Sequence, residues 1–178
     1  MKAAQQLSVD DYHFIGTPWS PPSWMKTNGM FNGTGKLIPE MQQPGQIFVR
    51  FFDAYQEEGL SFYGFTVQNE PYAGSTDWDW NCCHFTAEDE KVFVRDYLGP
   101  TLQAAGYDDL KLLIGDGNLE IYPQFIENIL EDEECASFVD GIAVHWYVDD
   151  YRPETILTQL HEEFPNNFIL HTEACTGN

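Results

Sequence analysis

Five short runs rich in aromatic and β-branched residues recur along this chain, and a stretch with helical spacing separates each from the next. They are His13–Thr17, Ser61–Val67, Leu110–Ile114, Gly141–Tyr147 and Asn167–Thr172. A parallel sheet is the arrangement that demands such a repeat, because each crossover must carry the chain back to the same end of the sheet. Helices are predicted after Pro44, where Ile47, Phe48, Phe51, Phe52 and Tyr55 share one face before a stop at Gly59, and from the cap Thr86 toward Gly106, with Pro100 kinking or breaking it. Two more are predicted over Pro123–Glu134, whose closing acidic residues oppose the helix dipole, and over Pro153–Phe164.

No G-x-G-x-x-G turn follows any of these strands and no G-x-x-x-x-G-K occurs, which argues against dinucleotide-binding and P-loop folds. Polar residues instead collect at the ends of several strands, the distribution of a TIM barrel, in which every strand delivers to one mouth. A complete barrel takes about 250 residues and eight strands. The 178 residues are therefore expected to form an α/β, partial (β/α)8 TIM barrel, a single partial catalytic domain over residues 1–178. The net charge of −21, from 8 basic and 29 acidic residues, excludes nucleic acid and anionic membranes as targets of a basic patch. No apolar run approaches membrane-spanning length, and Met1–Asp10 lacks the apolar region of a signal peptide. Cys82, Cys83, Cys135 and Cys175 form no C-x-x-C pair and no His stands at zinc-finger spacing, so they read as buried thiols and a metal site is not expected.

The chemistry gathers at the end of the second strand. Ser61–Val67 runs into Gln68-Asn69-Glu70-Pro71, and Pro71 forces the chain out of the sheet so that Glu70 stands at the strand's carboxyl end. Such a segment also serves simply to close a turn. A second carboxylate, Glu173, falls at or just past the fifth strand, in phase with Ile169 and His171. Two acids facing each other across a barrel mouth are what glycoside hydrolysis needs, one to protonate the leaving oxygen and one to attack the sugar carbon. In such pairs the charge on the attacking group holds the proton on its partner until the sugar is attached. Asn69 is placed to hold a sugar hydroxyl, and the period of two in Gly141–Tyr147 puts His145 and Tyr147 on one side of their strand. Trp19, just past the first strand, suits either a sugar-stacking platform or packing at the rim.

Several segments carry a resemblance that runs in order along nearly the whole chain. Thr17–Gly29 (TPWSPPSWMKTNG), Asn69-Glu70-Pro71 with Ala73-Gly74, Gly141–Tyr147 (GIAVHWY) and Glu173-Ala174-Cys175 with Gly177 resemble the glucosylceramidases of glycoside hydrolase family 30. The resemblance implies a retaining hydrolase of glucosylceramide, with Glu70 as acid/base and Glu173 as nucleophile. It also places Asn69 beside the donor, Trp19 in the site, and His145 and Tyr147 near the nucleophile. Members carry a complete barrel and a β-sandwich domain, so the chain is expected to span about strands 3 to 7, without the first two strands, the last, or the sandwich. The family needs no metal or organic cofactor. Its animal members work in the lysosome with a saposin-type activator and anionic lipid surfaces, which is the expectation for a full-length parent. Lys36–Phe52 departs from the family pattern and reads as shortened. The two carboxylates specify the reaction and not the sugar, which leaves a xylanase or β-glucanase as the alternative, and a non-catalytic binding module as the reading from another class.

Overall fold

The computed structural model describes residues 1–9, 11–38, 45–153 and 155–175. A short helix α1 (Lys2–Leu7) buries none of its residues. The alternation then runs β1 (Ile15–Gly16), α2 (Gly45–Glu57), β2 (Gly64–Thr66), α3 (Ala87–Phe93), α4 (Gly99–Ala104), β3 (Lys111–Asn118), α5 (Gln124–Leu130), α6 (Glu133–Ala136), β4 (Gly141–His145), α7 (Thr155–Glu163) and β5 (Phe168–Glu173). Among the described residues the strands form one sheet in sequence order, β1-β2-β3-β4-β5, every pair parallel. This is an α/β half-barrel. Pro44, expected just ahead of the first crossover helix, lies outside the described residues, as do Thr176 and Gly177 of the closing loop.

The two faces of the sheet divide the labour. Phe65, Val67, Leu112, Ile114, Ile142 and Val144 point toward the helices and join Phe93, Leu98, Phe125, Ile126, Ile129 and Leu160 in one buried apolar cluster. Full burial of each such side chain contributes about 1.5 to 3 kcal/mol, so this cluster is the main stabilising element. The alternate residues Thr66, Gln68 and His145, together with Asp116, which a register shift brings round, are buried on the other face, toward the barrel interior. A polar interior of this kind needs internal partners, and these residues supply one another.

Several elements differ from the sequence expectation for identifiable reasons. The first two strands are shorter than the apolar runs, though Tyr63 N–H to Phe14 O (2.8 Å) and Val67 N–H to Leu113 O (3.1 Å) extend the pairing beyond them. The third strand is longer, because a register shift between Gly115 and Gly117 lets the chain pass through Asp116 and continue pairing to Asn118. The helix after Thr86 has the expected cap, which Asp89 completes as a capping box, but its middle, Val94–Leu98, widens to a π-turn that places Pro100 in the first turn of α4. The acidic run after Leu130 does not fray one helix. Asp132 accepts the Cys135 N–H and starts a new one, putting Glu133 and Glu134 at a helix start where their charge is favourable. Cys82, Cys83 and Cys135 are buried, whereas Cys175, in the loop that follows β5, is exposed.

Candidate active site

Glu70 reaches the mouth on a strained turn. It has φ 41, a left-handed conformation uncommon for a residue with a side chain, and three backbone contacts hold it there. Its N–H donates to Asp116 O at 2.9 Å, its carbonyl accepts from Ala73 N–H at 2.8 Å, and the preceding Asn69 N–H donates to Pro18 O at 2.9 Å. Gln68 Nε2 ties the loops by donating to both Trp19 O (2.8 Å) and Asn69 O (2.9 Å). The segment after Pro71 folds back, with Phe85 N–H donating to Pro71 O at 2.9 Å, and packs so closely that a Cβ on Gly74 would lie 2.2 Å from the His84 nitrogen.

Glu173 arrives by a different device. Val144 pairs with His171 but His145 pairs with Glu173, so one residue is skipped. The slip undoes the simple alternation expected of Ile169, His171 and Glu173. Ile169 packs with the helix-side cluster and His171 is exposed, while both Thr172 and Glu173 turn to the interior groups. Tyr147 Oη donates to Glu173 Oε1 at 2.8 Å, and the Tyr147 N–H donates to Asn118 Oδ1 at 3.1 Å, fixing the chain just past β4.

His145 joins the two carboxylates. Its ring is fully buried, with Nδ1 3.7 Å from Glu70 Oε1 and Nε2 3.8 Å from Glu173 Oε2. Closer still is Asp116, whose Oδ1 lies 3.2 Å from Nε2. Asp116 also accepts from Thr66 Oγ1 at 2.6 Å and Thr172 Oγ1 at 2.5 Å, and it too has a left-handed backbone, φ 57. Burial works to lower the His145 pKa, but contact with Asp116 and Glu70 and the charge of Glu173 outweigh it and push the value up to about 9. The ring is therefore an imidazolium at neutral and acidic pH, set among three acids. Tyr147 packs its ring edge-on against it, centroids 6.0 Å apart.

The predicted residues thus converge unevenly. Glu70, Glu173, His145 and Tyr147 form one contact network. Asn69 is buried beside Glu70, and its Oδ1 has no hydrogen-bond partner among the described residues, leaving it free for a hydroxyl. Trp19 is tied in through its backbone, but its side chain is 44% exposed. Sequence reasoning missed Asp116, Thr66 and Thr172. For Asp116 a signal existed in the Gly115-Asp116-Gly117 triplet after an apolar strand, since flanking glycines permit an unusual backbone. The threonines carry no such signal.

A cleft of about 330 Å³ opens on the Glu70 side, lined by Pro71, Tyr72, Trp78, Trp80, Asn118 and Ile121. Trp78 and Trp80 stack at 4.3 Å and are each about two-fifths exposed (41% and 39%), offering a flat apolar wall. A second cavity of about 210 Å³ lies between the sheet and α2, walled by phenylalanines and prolines, and contains no titratable side chain. No cluster of His, Cys, Asp and Glu among the described residues is arranged to hold a metal ion.

Comparison with known proteins gives this geometry a family. The chain is 40% identical over 184 residues to the lysosomal acid glucosylceramidase of Mus musculus, covering 98% of this chain and 35% of that protein. It is 28% identical over 193 residues to an endo-1,6-β-D-glucanase of Aspergillus fumigatus, covering 99% of this chain and 38% of that protein. The crystal structure of SrfJ from Salmonella typhimurium superposes with a TM-score of 0.86 at 30% identity, over 93% of this chain and 36% of that one. The chain thus spans little more than a third of the length of these relatives. All 178 residues match the model of the glycosyl hydrolase family 30 TIM-barrel domain, and the chain belongs to that family.

Proposed function

We propose that the full-length gene product carrying this chain hydrolyses glucosylceramide to glucose and ceramide with retention of configuration. The observation that carries the reading is the pair of strand-end carboxylates at opposite nitrogens of one buried imidazolium, Glu70 at 3.7 Å and Glu173 at 3.8 Å. Glu173 attacks the anomeric carbon and the bond to the leaving oxygen breaks as Glu70 delivers its proton there. The sugar is left as an ester of Glu173. Glu70, now a carboxylate, takes a proton from water, the water oxygen bonds to the anomeric carbon, and Glu173 departs.

The surrounding groups have matching tasks. Tyr147 holds Glu173 Oε1 by its hydroxyl, which orients the other oxygen for attack. Asn69 Oδ1 takes a sugar hydroxyl, and the exposed ring of Trp19 flanks the sugar. The cleft with Trp78 and Trp80 lies on the side of the proton donor, where the leaving group must be, and its apolar wall suits a sphingoid chain. An acidic compartment such as the lysosome would neutralise part of the charge of 29 acidic residues. That would permit contact with an anionic lipid surface and a saposin-type activator.

Similarity to the Aspergillus glucanase favours a second reading, a β-glucan hydrolase with the same two carboxylates. Assaying the full-length gene product on glucosylceramide, β-1,6-glucan and xylan separates them: turnover of glucosylceramide alone is expected, and turnover of a glucan alone overturns the lipid reading. Trapping with a 2-fluoro glucoside, followed by peptide mass spectrometry, should label Glu173. Glu173→Gln should abolish turnover of every substrate, while Glu70→Gln should spare the first step for a dinitrophenyl glucoside, whose leaving group needs no proton. Equal losses on both substrate types would refute the role assignment.

A further inference from the structure

One buried carboxyl behind the site takes no part in the steps above. Glu90, on α3, is 0% exposed. Its Oε1 accepts the Gly115 N–H at 3.0 Å, and its Oε2 is buried with no hydrogen-bond partner among the described residues. That N–H belongs to the register shift between Gly115 and Gly117, where Gly115 (φ 88) and Asp116 (φ 57) are both left-handed. A bulge of this kind re-aims the residue it carries, and here that residue is Asp116. Tyr122 closes the same bulge from another side. Its Oη donates to Ala143 O at 2.6 Å and would lie 2.2 Å from a Cβ on Gly115.

We propose that Glu90 is a positioning residue of the hydrolytic site, its carboxyl fixing the bulge that holds Asp116 against His145 between the two catalytic acids. The proposal rests on the functional reading above. A buried N–H that loses its acceptor will rotate toward another, and the two left-handed residues next to it offer little resistance of their own. Asp116 would then move away from the 3.2 Å contact on which the His145 charge depends.

The chemistry of the acceptor matters as well. Glu90 faces Asp116 at the end of β3, the phenols of Tyr72 and Tyr122, and the thiol of Cys135 on α6, all neutral or anionic groups. Burial first, and then the Asp116 charge, push its pKa up to about 8 against the pull of the Gly115 hydrogen bond. At working pH Glu90 is a neutral acid that accepts a hydrogen bond without adding charge behind Asp116. Above about pH 8 it would ionise and repel Asp116.

Three variants of the full-length gene product test this on an aryl β-glucoside. Glu90→Gln keeps the oxygen and the neutrality, and should keep kcat within about threefold, whereas Glu90→Ala and the shorter Glu90→Asp should lose on the order of 10- to 100-fold in kcat with little change in KM. Thermal unfolding reads the same group without substrate. A carboxyl whose folded value is raised contributes stability that is present below its ordinary 4.5 and is lost as pH rises through about 8. The melting temperature of Glu90→Gln should therefore rise relative to the parent across that interval. Wild-type kcat in Glu90→Asp, a Glu90→Gln as impaired as Glu90→Ala, or a melting difference independent of pH would each overturn the proposal. Failure of the parent to cleave any β-glucoside would instead sink the functional reading, since the melting comparison stands without it.

Discussion

Replacing Asp116 by Asn changes one charge at the centre of the network and leaves its shape. The consequence follows from His145, whose pKa is raised from an ordinary 6.5 to about 9 although burial alone would lower it. That rise corresponds to roughly 3 kcal/mol of preference for the imidazolium in the fold. Asp116 is the first of the groups that raise it and the nearest acid to the ring, at 3.2 Å. With the ring 0% exposed, solvent does little to screen the pair. Removing the charge from one partner of a buried, hydrogen-bonded pair costs about 3 to 5 kcal/mol when the other is left unpaired. Glu70 and Glu173 remain as partial partners at 3.7 and 3.8 Å, so a loss of about 2 to 3 kcal/mol is expected.

The pH dependence distinguishes this from an ordinary packing defect. His145 has a folded value above its unfolded one, so the stability it contributes is fully present below about 6.5 and is lost as pH rises through about 9. Asp116→Asn should therefore cost most near about pH 5 to 6 and much less near about pH 10. Urea titration of the full-length gene product and its Asp116→Asn variant at both ends of that range measures the difference directly. A cost that is equal at the two ends, or larger at the alkaline end, would refute the electrostatic account and leave only lost hydrogen bonds to Thr66 and Thr172.

Three further outcomes follow from other parts of the structure. Gly74→Ala places a Cβ 2.2 Å from the His84 nitrogen, a backbone atom that has no room to yield, so it should destabilise by about 1 to 3 kcal/mol or more and lower kcat by displacing the loop after Glu70. Wild-type melting and kcat would show that the loop can open. If glucosylceramide is the substrate as proposed, Trp78→Ala with Trp80→Ala should raise its KM on the order of tenfold while changing kcat/KM for a dinitrophenyl glucoside less than about threefold, because the aryl glucoside has no lipid chain to lay on the stacked Trp wall. Equal effects on both substrates would remove the cleft from leaving-group recognition. The 178 residues expressed alone should show no cooperative unfolding, because among the described residues β1 and β5 each pair on one side and Phe168, Ile169 and Leu170 are only half buried, whereas β4 is buried throughout. A sharp transition with turnover of an aryl glucoside would contradict this.

What was legible in the sequence and what was not divide along a physical line. Periodicity exposes whatever repeats, so the order of the five strands and their crossover helices could be read directly, and the Thr86 cap followed from its residue type ahead of an acidic first turn. Pro71 likewise announces that the chain leaves the sheet at Glu70, because it removes a donor. The site itself depends on departures from the repeat. Asp116 enters the interior through one register slip and Glu173 through another, and a period-two reading has no means of locating a skipped residue. The slips have a common effect: each brings an acid to His145 that regular pairing would have aimed elsewhere. Glu90 was hidden for the same reason, since on its own helix it reads as one of three acids in a favourable first turn, after Glu88 and Asp89. Only the bulge gives it a partner. Local strain at Glu70 and Asp116, both left-handed, is sustained by the regular sheet and its apolar cluster behind them, which supply the stability that the irregular strand ends consume.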